Sequence, residues 1–208
     1  MKVIKNSYGK TYFIVLVPCI IIIVLTFFKV ISESYISNIV ISLSTSLIAS
    51  AALGIMLLID DINKRRENYL YTLSHMIQIV SALCNDFLYM SKNSETLNHG
   101  FTYLMEMPIF VENLGINMSL CGDADQLFNK DEASKLTAIM QYIINLSASI
   151  RTYTLELMCN DNMNRELINS VVTYINNERF KVIEYSEILN KIAKKPVCVV
   201  NVRTKNNK

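Results

Sequence analysis

Two uninterrupted apolar runs open this sequence, and the remainder sets apolar residues at helical spacing among polar ones. The first run covers 11–28 (TYFIVLVPCIIIIVLTFF) and the second 35–59 (YISNIVISLSTSLIASAALGIMLLI). About 20 residues at ~1.5 Å rise cross the hydrocarbon of a bilayer, so both runs predict membrane spans. Pro18 removes one backbone donor from the first, which membrane helices tolerate. A signal peptide is the competing reading of the first run, because a basic leader, 1–10, precedes it. Against that reading, the run is long, and Phe27, Phe28 and Lys29 stand where a peptidase needs small residues.

The second run is not uniformly greasy. Asn38, Ser42, Ser46, Ser50 and Gly54 recur at every fourth position, a slowly drifting stripe on a helix. Ser37, Ser44, Thr45, Ala49, Ala51 and Ala52 widen it, while Ile39, Ile41, Leu43, Ile48, Ile55 and Leu57 suit lipid. Small residues let helix backbones approach, and hydroxyls can bond across the contact. The stripe therefore reads as a packing face, against the first span or a second copy, or as the lining of a path through an oligomer. It contains no charged residue, the usual mark of an ion pathway.

Beyond 60 the periodicity is that of a helical bundle. No Gly or Pro interrupts 55–91, so the second span is expected to continue into the helical domain. There Leu73, Met76, Val80, Leu83, Phe87 and Met90 alternate steps of three and four, broadened by Leu70, Ile77, Cys84 and Leu88. A helix is predicted over 95–107, stopped by Pro108, and a packed connection over 109–122. Clear helices follow over 132–159 (Leu136, Ile139, Ile143, Leu146, Ile150, Tyr153, Leu157) and 164–194 (Val171, Ile175, Val182, Tyr185, Leu189, Ile192). Glu178 interrupts the last stripe and is expected at an exposed spot. After Pro196, the run 197–202 (VCVVNV) reads as a lone strand, either frayed or paired with another chain. The predicted fold is all-α: leader 1–10, transmembrane hairpin 11–60, cytoplasmic helical domain 61–195, basic tail 196–208.

Composition agrees with that division. Of 208 residues 51% are hydrophobic, high for a soluble chain, and the two runs account for the excess. The net charge of +2 indicates no general attraction to nucleic acid. Lys2, Lys5 and Lys10 precede the first run, and Lys64, Arg65 and Arg66 follow the second. The positive-inside bias then puts both termini in the cytoplasm of a multi-pass inner-membrane protein. Five scattered cysteines without metal spacing suit reduced, mostly buried thiols.

No catalytic constellation is present: no GxxxxGK[ST], GxSxG or HExxH, and nothing that calls for a cofactor or metal. Asp123, Asp125, Asn129 and Asp131 suggest a calcium loop, but Leu127 and Phe128 occupy positions that need a ligand and a glycine; Asn129 or Asp131 suits a helix cap better. Arg66 and His75 suggest a HEPN-type ribonuclease pair at a spacing longer than that motif's. Tyr69, Tyr71, Tyr89 and Tyr103 suit a groove or ordinary packing. The basic tail suits anionic lipid, an RNA or acidic partner, or plain solubility.

The layout of two spans, 11–28 and 35–59, followed by a helical domain resembles the small two-transmembrane effectors of bacterial antiviral defence, SLATT-like, abortive-infection-type and retron-associated. The resemblance is one of architecture and carries no residue with it. It implies an effector, not an enzyme, that works with the lipid bilayer. A signal ligand or protein partner at the cytoplasmic domain would drive homo-oligomer formation, and the membrane would be depolarised. On that expectation Asn38, Ser42, Ser46, Ser50 and Gly54 form the assembly face or pore lining. A membrane-anchored adaptor is the alternative.

Overall fold

The structure, a computed structural model, describes residues 7–27, 34–92, 94–120, 124–159 and 165–200. Every regular element among them is helical: α1 Ser7–Phe27, α2 Ser34–Met90, α3 Ser94–Leu120, α4 Ala124–Leu127, α5 Lys130–Cys159 and α6 Arg165–Ala193. The chain divides into two compact units, Met1–Lys64 and Arg65–Lys208.

The first unit holds α1 and the apolar start of α2. Of the described helices α2 alone is long and apolar enough to cross a membrane; the apolar stretch of α1 is the shorter Leu16–Leu25. Only 11% of the most apolar stretch of α2 is shielded within the chain, so its apolar side chains are not covered by this chain's own core. On α1, Leu16, Cys19 and Ile23 are turned away from solvent. On α2 the shielded or half-shielded positions are Val40, Ser44, Ile48, Ala51, Ile55 and Leu58, the three-and-four spacing of a helix seam. Its two fully shielded members, Ser44 and Ala51, are small.

The second unit is built around α5, which packs on α3, α4 and α6, most extensively on α3. Its core takes Leu136, Ile139, Ile143 and Ile150 from α5 and Leu73, Met76, Val80, Leu83 and Phe87 from α2, all essentially inaccessible. The heptad positions predicted for this part of α2 are thus its buried face. Met90 and Leu88 pack at the margin. The continuation of the second apolar run into this helix is also as expected, since α2 is unbroken to Met90.

α3 corrects the prediction that Pro108 ends a helix, and with it the packed connection over 109–122. The helix passes through Pro108 to Leu120. An interior proline costs about 3 kcal/mol through its missing N–H and its clash with the preceding turn. Here Pro108 is buried, and Leu104, Val111 and Met118 on both sides of it enter the core. Burying three such side chains is worth about 1.5–3 kcal/mol each, which outweighs the local penalty. Gly115 belongs to the same contact: a Cβ there would meet Ile144 Cδ1 at 2.5 Å. That glycine is a point of close approach between α3 and α5, not a breaker.

α5 begins as expected with a cap. Asn129 Oδ1 accepts from the Glu132 N–H at 2.8 Å, and Glu132 Oε2 accepts from the Asn129 N–H at 3.3 Å, a capping box. α6 ends at Ala193, and Lys194 takes a left-handed φ of 56° that turns the chain back.

The lone strand is a further correction, because residues 196–200 form no regular element and pair with no strand among the described residues. They are held by side chains. Asn190 Oδ1 accepts from the N–H groups of Val197 and Cys198, each at 2.8 Å, and Asn190 Nδ2 donates to the Cys198 carbonyl at 2.7 Å. Ser74 Oγ donates to the Val197 carbonyl at 2.6 Å. Cys198 is buried in the same core. The segment is therefore docked within its own chain, neither frayed nor awaiting a partner; residues 201 and 202 of the predicted strand lie outside the described residues.

Candidate functional site

The stripe predicted along α2 drifts around the helix. Asn38, Ser42, Ser46 and Ser50 are exposed, whereas Gly54 is half-buried. Helix geometry explains the split. A step of four residues overshoots a turn by about 40°, so the stripe rotates by about 160° between Asn38 and Gly54. Gly54 reaches the shielded side beside Ala51 and Ile55. Ser44 and Ala51, expected to widen the stripe, belong to the shielded seam, as do Ile48 and Ile55, which were expected to face lipid. Ile39, Ile41, Leu43 and Leu57 are exposed, as a lipid-facing surface requires. The Thr45 hydroxyl donates to its own helix, to the Ile41 carbonyl at 2.7 Å, so it is satisfied without a neighbour.

In the second unit the structure separates the residues of the nuclease reading. Arg66 and His75 are nine residues apart on one helix, about 900° of rotation, which sets them on opposite sides. The Arg66 guanidinium lies 5.0 Å from the centroid of the Phe128 ring and 4.0 Å from Glu132. His75 is exposed. Of the residues in the calcium reading, Asp125 and Asp131 are exposed, Asn129 caps α5, and Asp123 lies outside the described residues. Of the four tyrosines, Tyr69 is buried against Phe128, with ring centroids 5.5 Å apart, and Tyr71 is exposed. Cys19, Cys84 and Cys198 are buried thiols, but Cys159 is exposed.

Glu178 is a plain correction. It is 8% exposed, not at an open spot of the bundle. The Tyr142 hydroxyl donates to its carboxylate, and Lys181 Nζ donates to Glu178 Oε1 at 2.9 Å. Tyr185 packs edge-on against Tyr142 at 4.8 Å. Burial by itself would raise the Glu178 carboxyl pKa, but the bonds from Tyr142 and Lys181 win and hold it below the usual carboxylate value. The same arrangement raises the Tyr142 phenol, through burial first and then its bond to the carboxylate. Both ionisations thus keep the carboxylate charged and the phenol neutral, which locks α5 to α6 and is no poised acid–base pair.

Sequence reasoning missed a cavity. α2, α6 and the docked C-terminal segment enclose an open groove of about 940 Å³. Its lining includes Asn85, Asp86, Tyr89 and Lys92 from α2, Arg179 from α6, and Val200. Arg179 Nη1 donates to Asn85 Oδ1 at 3.2 Å, and the guanidinium lies 5.5 Å from the Phe180 ring centroid. Arg179 Nε is buried without a hydrogen-bond partner. Of the four tyrosines, Tyr89 lines the groove; the Tyr103 phenol is raised by burial first and then by the Asp86 carboxylate. In the sequence the only trace of this site is a polar set, Gln78, Ser81, Asn85 and Asp86, flanking the seam of α2.

No protein-family model matches the chain, and neither the curated proteins nor the solved structures contain one significantly similar to it.

Proposed function

We propose that this protein is an integral membrane effector of antiphage defence that self-associates through α2 and permeabilises the inner membrane. α1 and the start of α2 form a two-span hairpin in this reading, and Arg65–Lys208 forms the cytoplasmic sensor domain, with both termini on that side. The observation that carries it is the surface of α2. One chain leaves Asn38, Ser42, Ser46 and Ser50 uncovered on a helix that also exposes large apolar residues such as Leu43 and Leu53. Serine and asparagine facing acyl chains gain nothing, whereas facing copies of themselves or water they can bond. Gly54, half-buried, contributes to close packing rather than to that surface.

The test is a double variant, Ser46→Leu with Ser50→Leu, in cells carrying a voltage-sensitive dye. Loss of depolarisation and a smaller particle in detergent are expected. Unchanged toxicity and size would refute assembly through this face. A membrane-anchored adaptor is the second reading, favoured by the groove and the well-packed second unit. Replacing residues 1–60 with an unrelated membrane anchor separates the two: an adaptor keeps its activity and a pore loses it.

A further inference from the structure

The groove between α2 and α6 sets two cations, Arg179 and Lys92, against one carboxylate, Asp86. Arg179 is permanently ionised and has five N–H donors in a planar fork. One of them meets Asn85, Nε meets nothing, and no carboxylate lies within ion-pair distance of the guanidinium among the described residues. Its sequence neighbour Glu178 does not neutralise it, because that carboxylate is engaged by Tyr142 and Lys181. Asp86 is the one carboxylate on the same lining and makes no ion pair with Arg179. Lys92 adds a second cation at the groove's lip and is exposed. Arg179 is half-buried, and a buried N–H such as its Nε is costly unless a ligand supplies an acceptor.

We infer that this groove is a binding site for a phosphate-bearing molecule, with Arg179 and Lys92 holding the phosphate and the exposed Tyr89 ring offering an apolar face to the rest of the ligand. A tetrahedral anion with several acceptor oxygens matches the free donors of a guanidinium fork, and a volume of about 940 Å³ accommodates a metabolite-sized molecule. The site names the chemistry of the signal that the effector reading requires. It rests on that reading only for the consequence of binding, not for binding itself.

The experiment uses the full chain in nanodiscs of zwitterionic lipid, titrated with pyrophosphate at low ionic strength in a calorimeter. Saturable binding is expected. Arg179→Gln and Lys92→Gln each weaken it at least tenfold, and Arg179→Lys weakens it less. Arg151→Gln is the control, because Arg151 also has a buried, unpartnered Nε but lies on α5 outside the groove lining, and its affinity stays at the wild-type value. No saturable binding, or wild-type affinity in both Lys92→Gln and Arg179→Gln, overturns the site. Because Lys92 is exposed, its variant folds even where Arg179→Gln does not. Repeating the titration in phosphatidylglycerol nanodiscs identifies the source. Competition by the lipid marks a headgroup site, and undiminished pyrophosphate affinity marks a soluble ligand. If the groove variants lose pyrophosphate but still depolarise cells, the site stands and its coupling to the membrane fails.

Discussion

The two halves of α2 bury opposite things. In the second unit its large residues are hidden: Leu73, Met76, Val80, Leu83 and Phe87 are each 0% exposed. In the first unit its large residues are open, Leu43 at 61% and Leu57 at 62%, and the fully shielded ones are Ser44 and Ala51 at 4%. In the proposed membrane reading, the same backbone geometry serves two solvents. Water rewards hiding every large apolar side chain. Lipid does not distinguish leucine on a helix surface from leucine in a contact, so close packing selects small residues instead.

That contrast can be broken most strongly in the second unit. Phe87→Ala should cost about 3–5 kcal/mol by emptying a filled core, seen as an earlier midpoint in urea unfolding followed by circular dichroism. A loss below about 1 kcal/mol would mean that this half of α2 is not packed as described. In the first unit the same kind of truncation matters little, but a charge matters much. Leu47 is 48% exposed. Leu47→Lys should cost about 2.5–3.5 kcal/mol of membrane insertion, and part of the chain should become extractable by alkaline carbonate. Unaltered membrane retention would argue that this surface does not meet lipid.

Smaller effects probe the polar locks of the second unit. Asn190→Ala strips acceptors from two backbone N–H groups and should cost about 1–3 kcal/mol. The readout is Cys198, which should pass from unreactive to reactive towards a maleimide. Continued protection would show that Ser74 and apolar contacts suffice to hold the segment.

The smallest effect is a pH dependence at Glu178. Its folded pKa lies below the unfolded value, so its contribution is complete above the ordinary glutamate pKa of about 4.3 and fades as pH falls through the folded value. The wild type should therefore lose more stability than Glu178→Gln on acidification below about pH 5. Parallel acid titrations of the two proteins would contradict the lock.

The residues that were legible in advance and those that were not differ in the range of the forces acting on them. The seam of α2, the stripes of α5 and α6 and the Asn129 cap depend on neighbours within four positions, and each appeared as expected. Pro108 was misread because its local penalty is visible in sequence and the opposing burial of α3 on α5 is not. Glu178 was misread because its partner Tyr142 is 36 positions away. The C-terminal segment was misread because Ser74 lies 123 positions from Val197. The drift of the stripe from Asn38 to Gly54 was legible as well, because a period of four overshoots the helix period and the rotation accumulates between its ends.

The amino-acid order alone therefore determined that this chain is helical, where its apolar stretch is long enough for a membrane, and which stripe of each later helix turns inward, because helix periodicity and side-chain size are local quantities. Only the tertiary structure decided that a buried carboxylate is tied to a distant phenol, that the terminal segment folds back onto α2 and α6, and that Arg179 is left facing a cavity with donors to spare. Those outcomes depend on groups brought together across the chain, where burial makes every unpaired charge or polar atom costly and so selects its partners.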